Sequence, residues 1–272
     1  MTAGPTLVDG HVHLHACHEI DVALDAALSN LDGARSAHGL PRGTPDVLWL
    51  VELEGERSLE RIRMSAQRGG RWQAEGFEDV CLRLSRTEDA RRITVILGRQ
   101  VRTAENVEVL IVGTTESIAQ DQPVQDTVEV GLEQEALVML PWAFGKWAGA
   151  RGRLVANAYD KYASCGLRLA DTAARARFLP EPKEFTRSAA DGYPVLAGSD
   201  PFPFPDQLRR IGALGFVLDD VAADPGWSDI RRAVASLDSQ PRRFGQPFRM
   251  IEFARLQAKM QLRKRIGAGR SR

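Results

Sequence analysis

No histidine occurs after residue 38 of this 272-residue chain, although five stand within its first 38 residues. A Ser-His-Asp triad would therefore have to draw its base from the amino-terminal segment, and no Gly-x-Ser-x-Gly elbow is there to present a serine. Cysteine is nearly as scarce. Cys17, Cys81 and Cys165 are scattered, odd in number and form no Cys-x-x-Cys pair, which excludes a disulfide framework and a thiolate zinc site and fits a reducing compartment. Net charge is also missing: Lys plus Arg and Asp plus Glu balance at 36 each, so no global field draws the chain to nucleic acid or to an anionic membrane. The expectation from charge is no nucleic-acid partner and no membrane partner. No stretch reaches the about 18 uninterrupted apolar residues of a membrane span. Met1-Thr2-Ala3-Gly4-Pro5 lacks the basic region and apolar core of a leader, so the expected location is the cytoplasm. Neither nucleotide-binding fingerprint is present: no Gly-x-Gly-x-x-Gly follows a strand, and around Gly145-Lys146 a P-loop would need glycine at Leu140 and Ser or Thr at Trp147.

What the chain does have is a concentration of imidazoles. Three stand in Asp9-Gly10-His11-Val12-His13-Leu14-His15, directly behind the apolar pair Leu7-Val8 and a turn-like Asp9-Gly10. Alternation along a strand puts His11, His13 and His15 on one face and Val12 and Leu14 on the other. Two imidazoles held side by side at a strand end form the first half of a divalent metal site, which takes three or four protein ligands in all. The alternative is a polar strand end with solvated histidines.

Hydrophobic residues at 43% and charged residues at 26% give a globular composition able to bury a sizeable core, and the length suits one barrel-sized body. Apolar runs of strand length recur at Leu7-Val8, Val47–Val51, Val80–Leu84, Ile93–Leu97, Val107–Val112, Ala136–Leu140, Leu167–Leu169, Val195–Ala197 and Phe216–Leu218. Between them, Asp21–Leu31 repeats Leu24, Ala27, Leu28 and Leu31 at helical spacing, and Ser58–Ala66 reads as a second helix. Pro41–Pro45 reads as a loop and Gln67–Gly76 as a turn. This interleaving predicts an α/β fold, either a closed barrel or an open doubly wound sheet. Helical signal is weak over residues 67–135, so the expected form is a distorted (β/α) barrel with a β-rich middle section. Residues 1–247 are expected to form that single domain. Residues 248–272 are expected to form an amphipathic helix, Phe253, Leu256 and Met260 facing one way and Arg255, Lys259, Arg263 and Lys264 largely elsewhere, with a basic flexible tip after Gly267 and Gly269.

In parallel α/β folds reactive groups gather at the carboxyl ends of strands. Val195-Leu196-Ala197-Gly198-Ser199-Asp200-Pro201 ends a strand on an aspartate, so a closing sheet would bring Asp200 to His11 and His13; the alternative is a turn aspartate beside Pro201. Glu52 and Glu54 at the end of Val47–Val51 are candidate general bases, or ordinary strand-end charges. The segment from Leu140 to Arg153 combines aromatics, small residues and cations behind a buried strand. Trp142, Lys146 and Arg151 are therefore candidates to hold a small anionic substrate, with packed surface aromatics as the alternative.

These residues resemble the polymerase and histidinol phosphatase (PHP) superfamily and, more distantly, metal-dependent amidohydrolase barrels. Val8-Asp9-Gly10-His11-Val12-His13 resembles the opening His-x-His motif, and Gly198-Ser199-Asp200-Pro201-Phe202 the closing Ser-Asp-x-His. Ile96–Val101, Val107–Gly113 and Val138–Trp142 resemble the intervening ligand strands. The likeness spans about residues 6–220, with only the first and last motifs specific. Departures accompany it: Gln100 replaces a ligand glutamate, Glu108 and Phe202 replace histidines, and Trp142 stands near the place of another. The resemblance implies a PHP-type barrel holding a divalent metal (zinc, manganese or iron) on His11, His13 and Asp200, with His15, His18, Glu52, Glu54 and Glu108 as possible supplements. It implies a metal-dependent hydrolase of the phosphoesterase type. The alternative is a catalytically inactive PHP-like binding or regulatory protein with a degenerate metal site. Sequence sets neither the substrate nor the oligomeric state.

Overall fold

The computed structural model describes residues 3–41, 45–78 and 80–270, the side chains of 264–270 excepted. In chain order the first half runs β1 (Gly4–Val12), α1 (Ile20–Ala37), β2 (Asp46–Glu52), α2 (Ser58–Gln67), β3 (Trp72–Glu78), β4 (Cys81–Arg86), β5 (Arg92–Arg102), β6 (Glu108–Val112) and α3 (Val124–Glu133). The second half runs β7 (Leu137–Pro141), α4 (Gly149–Tyr162), β8 (Arg168–Thr172), α5 (Lys183–Ala190), β9 (Val195–Gly198), β10 (Leu214–Val221), α6 (Trp227–Ala235), β11 (Arg243–Gly245) and α7 (Met250–Arg270).

The strands form one mixed sheet in the order β11-β10-β1-β2-β5-β6-β7-β8-β9. β1, β2 and β5 are mutually parallel, as are β7, β8 and β9, while β6 and β10 run antiparallel to their neighbours. The sheet curls until its far edge nearly meets β1: Asp200, just beyond β9, donates its N–H to the His11 carbonyl at 2.8 Å. Gly198 makes this approach possible, since a Cβ there would lie 2.3 Å from the His11 nitrogen. The result is a mixed α/β body around a nearly closed, barrel-like sheet.

Side chains sort by face as this curvature requires. Val8, Trp49, Ile96, Leu110, Met139, Ala170, Leu196 and Phe216, one from each of eight strands, pack into one interior cluster. Outside, α1 and Trp72 cover β1, β2 and β5 with Leu24, Leu28 and Leu31 against Leu7, Leu48 and Val95. α3, α4 and α5 cover the β5 to β9 side. α7 docks through Phe253 and Leu256 onto Ala173, Ala174 and Leu214. Its backbone stays helical past Gly267 and Gly269, while Lys264, part of the expected basic end, lies outside the described side chains, and residues 42–44 of the expected Pro41–Pro45 loop lie outside the described residues.

Two local readings change. Gln67–Gly76 was expected to be a turn, but only its first part turns; from Trp72 the chain forms β3, antiparallel to β4. Trp72 is its single buried residue and hydrogen-bonds Asp25 of α1 through Nε1 at 3.0 Å, so one anchor holds a hairpin whose polar remainder carries no strand signature. Asp9-Gly10 lies inside β1 rather than at a turn: Gly10 sits where a Cβ would come within 2.8 Å of the Ala197 carbonyl, and Asp9 is fully buried. The Asp9 carboxylate accepts from Ser199 N (2.8 Å), Gly212 N (2.8 Å) and His11 N (3.3 Å), tying β1 to the end of β9 and the entry to β10. Burial pushes its pKa up to about 7 against those donors.

Candidate metal centre

The site begins with a fault in β1. Leu7 faces the outer cluster and Val8 the interior, so strict alternation would turn His11 outward with Leu7. Between Asp9 and Val12 the pairing of β1 with β2 slips by one residue, and Val12 and Leu14 then pack in the outer cluster. This bulge re-aims the next residues, so that His11 and His13 point into the mouth of the barrel.

There the two Nε2 atoms lie 3.0 Å apart, and each lies 3.1 Å from Oε1 of Gln100 on β5. Asp200 Oδ1 stands 3.6 Å from His11 Nε2 and 3.7 Å from His13 Nε2. Asp200 holds φ at +45°, a left-handed conformation that is costly for a non-glycine residue, and its N–H is tied there to the His11 carbonyl of β1. Burial lowers both imidazole pKa values to about 4, so both rings are neutral at pH 7 with lone pairs free to coordinate. Burial raises the Asp200 carboxyl, and His13, His15 and Lys146 oppose that rise.

Among the described residues, His11, His13 and Asp200 form a group whose ligating atoms all lie within 4.8 Å of one another. Two imidazole nitrogens and a carboxylate suit zinc, manganese or iron. Among the described residues the buried Nδ1 atoms of both rings have no hydrogen-bond partner of the kind that usually orients a ligating histidine. Gln100 supplies an amide, with donor and acceptor on one group, between the rings.

The remaining histidines are bonded elsewhere. His15 Nδ1 meets Glu56 Oε1 at 2.9 Å and its Nε2 lies 3.1 Å from the Pro201 carbonyl, while His18 Nε2 lies 3.0 Å from the carbonyl of Phe204. His15 still stacks on His13, with ring centroids 5.2 Å apart. Glu52 is buried, ion-paired with Arg99 and accepting from Leu59 N at 2.8 Å, which caps the start of α2. Glu54 is exposed on the following turn and lines, with Glu56 and Arg99, a cavity of about 500 Å³ that shares Leu53 and Gln100 with the histidine cleft. Glu108 pairs with Lys146 at 2.5 Å, and both line the histidine cleft, about 420 Å³ in volume. Trp142 packs half-buried against the core under α4, and Arg151, in the first turn of α4, donates to the Gly145 carbonyl at 2.9 Å; neither lines that cleft. Glu56 was not singled out by sequence. The alternating Glu52, Glu54 and Glu56 were a signal, but only the folded turn decides which carboxylate reaches a histidine.

No family model matches the chain, and no curated protein matches it. Solved structures do. PsfC from Pseudomonas syringae PB-5123 matches with a TM-score of 0.52 at 14% identity, over 96% of this chain and 98% of that one. The lesion-specific endonuclease PfuEndoQ from Pyrococcus furiosus matches with 0.52 at 12% identity, over 85% of this chain and 56% of that one. An Endonuclease Q in complex with a 27-mer duplex substrate, an abasic lesion at its active site, matches with 0.50 at 13% identity, over 86% of this chain and 57% of that one. The likeness is one of fold, and this chain spans little more than half the length of the endonucleases. It corrects the expectation of a small anionic substrate and no nucleic-acid partner, because a protein of this fold holds duplex DNA at its active site. A balanced total charge excludes a global field but says nothing about one cleft. Among the described residues no helix is long and apolar enough to cross a membrane.

Proposed function

We propose that this chain is a divergent metal-dependent hydrolase of PHP type that cleaves phosphoester bonds, with nucleic acid as its substrate class. The observation that carries the reading is the convergence of His11, His13 and Asp200 on one point at the carboxyl ends of β1 and β9. The endonucleases among its structural neighbours support the substrate class.

His11, His13 and Asp200 would hold a divalent ion, which would supply Lewis acidity for a phosphoryl oxygen and a water. The protein's own groups do the rest. Lys146 faces the cleft beside these residues, and an entering phosphate offers it an anion other than Glu108. With Lys146 on a phosphate, Glu108 would be available as a further oxygen ligand for the ion. Of the two strand-end carboxylates, Glu52 is held by Arg99 and by the α2 backbone, and Glu54 is the freer one, on the neighbouring cavity rather than in the histidine cleft.

The test is cleavage of bis(p-nitrophenyl) phosphate and of a labelled duplex carrying one abasic position, with zinc, manganese or iron added in turn. Metal-dependent cleavage that is lost in Asp200→Asn supports the reading; no cleavage with any of the three contradicts it. One observation favours a second reading, a PHP-like binding protein without turnover: Gln100 puts a neutral amide 3.1 Å from both imidazoles, bonding where a charged ligand would bind metal. That reading predicts that the duplex binds and stays intact.

A further inference from the structure

The histidine cleft is larger than a phosphate requires. Besides His13, Asp200 and Lys146, its lining includes Phe144 and, from α7, Gln257, Met260 and Gln261. Gln257 and Gln261 are one helical turn apart, so their amides project from the same face. Neither makes a hydrogen bond or any other polar contact among the described residues. Each amide offers both a donor and an acceptor, the combination presented by the edge of a nucleobase. Phe144 is 54% exposed yet fixed, its ring set edge-on against Trp142 and Phe253 with centroids 6.4 and 5.2 Å away. An exposed ring braced in this way is a stacking platform, and Met260 provides a polarizable apolar surface beside the amides. One cleft thus combines imidazoles and a carboxylate with a lysine, an aromatic face and free amides. A nucleotide unit presents the matching groups, a phosphate and a base.

We infer that the α7 end of the cleft is a nucleobase subsite, which takes the base next to the scissile phosphate of a strand, stacks it on Phe144 and reads its edge with Gln257 and Gln261. The placement of the phosphate rests on the hydrolase reading; the base recognition is tested separately from it. Competition against a labelled strand is measured on the full chain in chelator, so that nothing is cleaved. The competitors are the four homopolymeric tetranucleotides and a tetrahydrofuran (abasic) tetramer with the same phosphates. The preferred tetranucleotide should bind about tenfold or more tighter than the abasic tetramer, as stacking energies of about 1–3 kcal/mol per base imply. Phe144→Ala should remove most of that advantage, and Gln257→Leu/Gln261→Leu should flatten the ranking among the four bases. Equal binding of abasic and base-bearing tetramers, no binding of any tetramer, or an unchanged ranking in the double variant would overturn the subsite. A mononucleotide competing as strongly as the tetranucleotide would overturn its assignment to a strand. Cleavage of bis(p-nitrophenyl) phosphate by the metal-loaded wild type is followed in parallel. Its absence alongside a clear base preference would sink the hydrolase reading and leave the subsite standing.

Discussion

On the β1 side of the cleft, His11 and His13 are neutral rings whose Nε2 atoms, among the described residues, meet each other, Gln100 and Asp200. Elsewhere the charges are already matched, Glu108 by Lys146 within the cleft and Glu52 by Arg99 beside the neighbouring cavity. The difference shows where coordination comes at low cost. An ion between the imidazoles would displace neutral contacts, those of the Gln100 amide with both rings and that between the rings, whereas an ion at Glu108 would break an ion pair and leave Lys146 facing it. This contrast supports the proposal that His11 and His13, rather than the ion-paired carboxylates, would take an ion.

The largest effect expected from breaking this contrast is in His13→Ala, where metal-dependent cleavage should fall by at least the about 10- to 100-fold that even outer-shell losses cost; single-turnover assays at saturating metal check it. Lys146→Met comes next. Loss of a charge-assisted contact worth about 1.5–3 kcal/mol should weaken phosphodiester binding about tenfold, read as a rise in KM with little change in kcat. Gln100→Glu sharpens the contrast in the other direction, placing a carboxylate between the two imidazoles. Divalent affinity by calorimetry should rise about tenfold, a modest part of the about 4 kcal/mol that unit charges 4 Å apart gain at an effective dielectric near 20. Unchanged affinity would remove Gln100 from the coordination shell.

The smallest effect concerns pH without metal. Folding lowers the two imidazole pKa values from 6.5 to about 4, so between those values the unfolded chain binds more protons than the folded one. Stability of the metal-free chain should fall as pH drops from about 6.5 towards 4, then level off. Asp9 acts with the opposite sign: its folded pKa is raised to about 7 from 3.8, and its contribution is lost as pH rises through that window. Thermal melts of wild type and His13→Ala across this range separate the two, since only the variant should lose part of the acid-side slope. Parallel slopes would show that His13 takes up its proton in the folded state as readily as in the unfolded one.

The sheet was legible because its strands are buried on both faces and carry continuous apolar runs, as in Val47–Val51. α3 was not, since its buried positions Val124, Thr127, Val128 and Gly131 include only two large apolar side chains. The pairing of His11 and His13 with Asp200 could be anticipated from strand-end chemistry. The device that makes it possible could not: period-two reading takes β1 as regular, and the bulge between Asp9 and Val12 appears only when the strand is paired with β2. Likewise Gln100 was visible as a replaced residue, but not as the amide that fills the space between both rings. The Glu108–Lys146 pair joins two positions assigned separate roles by sequence, and nothing local in either segment signals that they meet.

Metal content tests the central claim most directly. Protein purified without chelator or affinity nickel, and then offered zinc, manganese or iron, is assayed by mass spectrometry alongside His11→Ala/His13→Ala. About one ion per chain in the wild type and none in the double variant is the predicted result. No ion in either protein, or equal amounts in both, would contradict the assignment of His11, His13 and Asp200 as a metal centre.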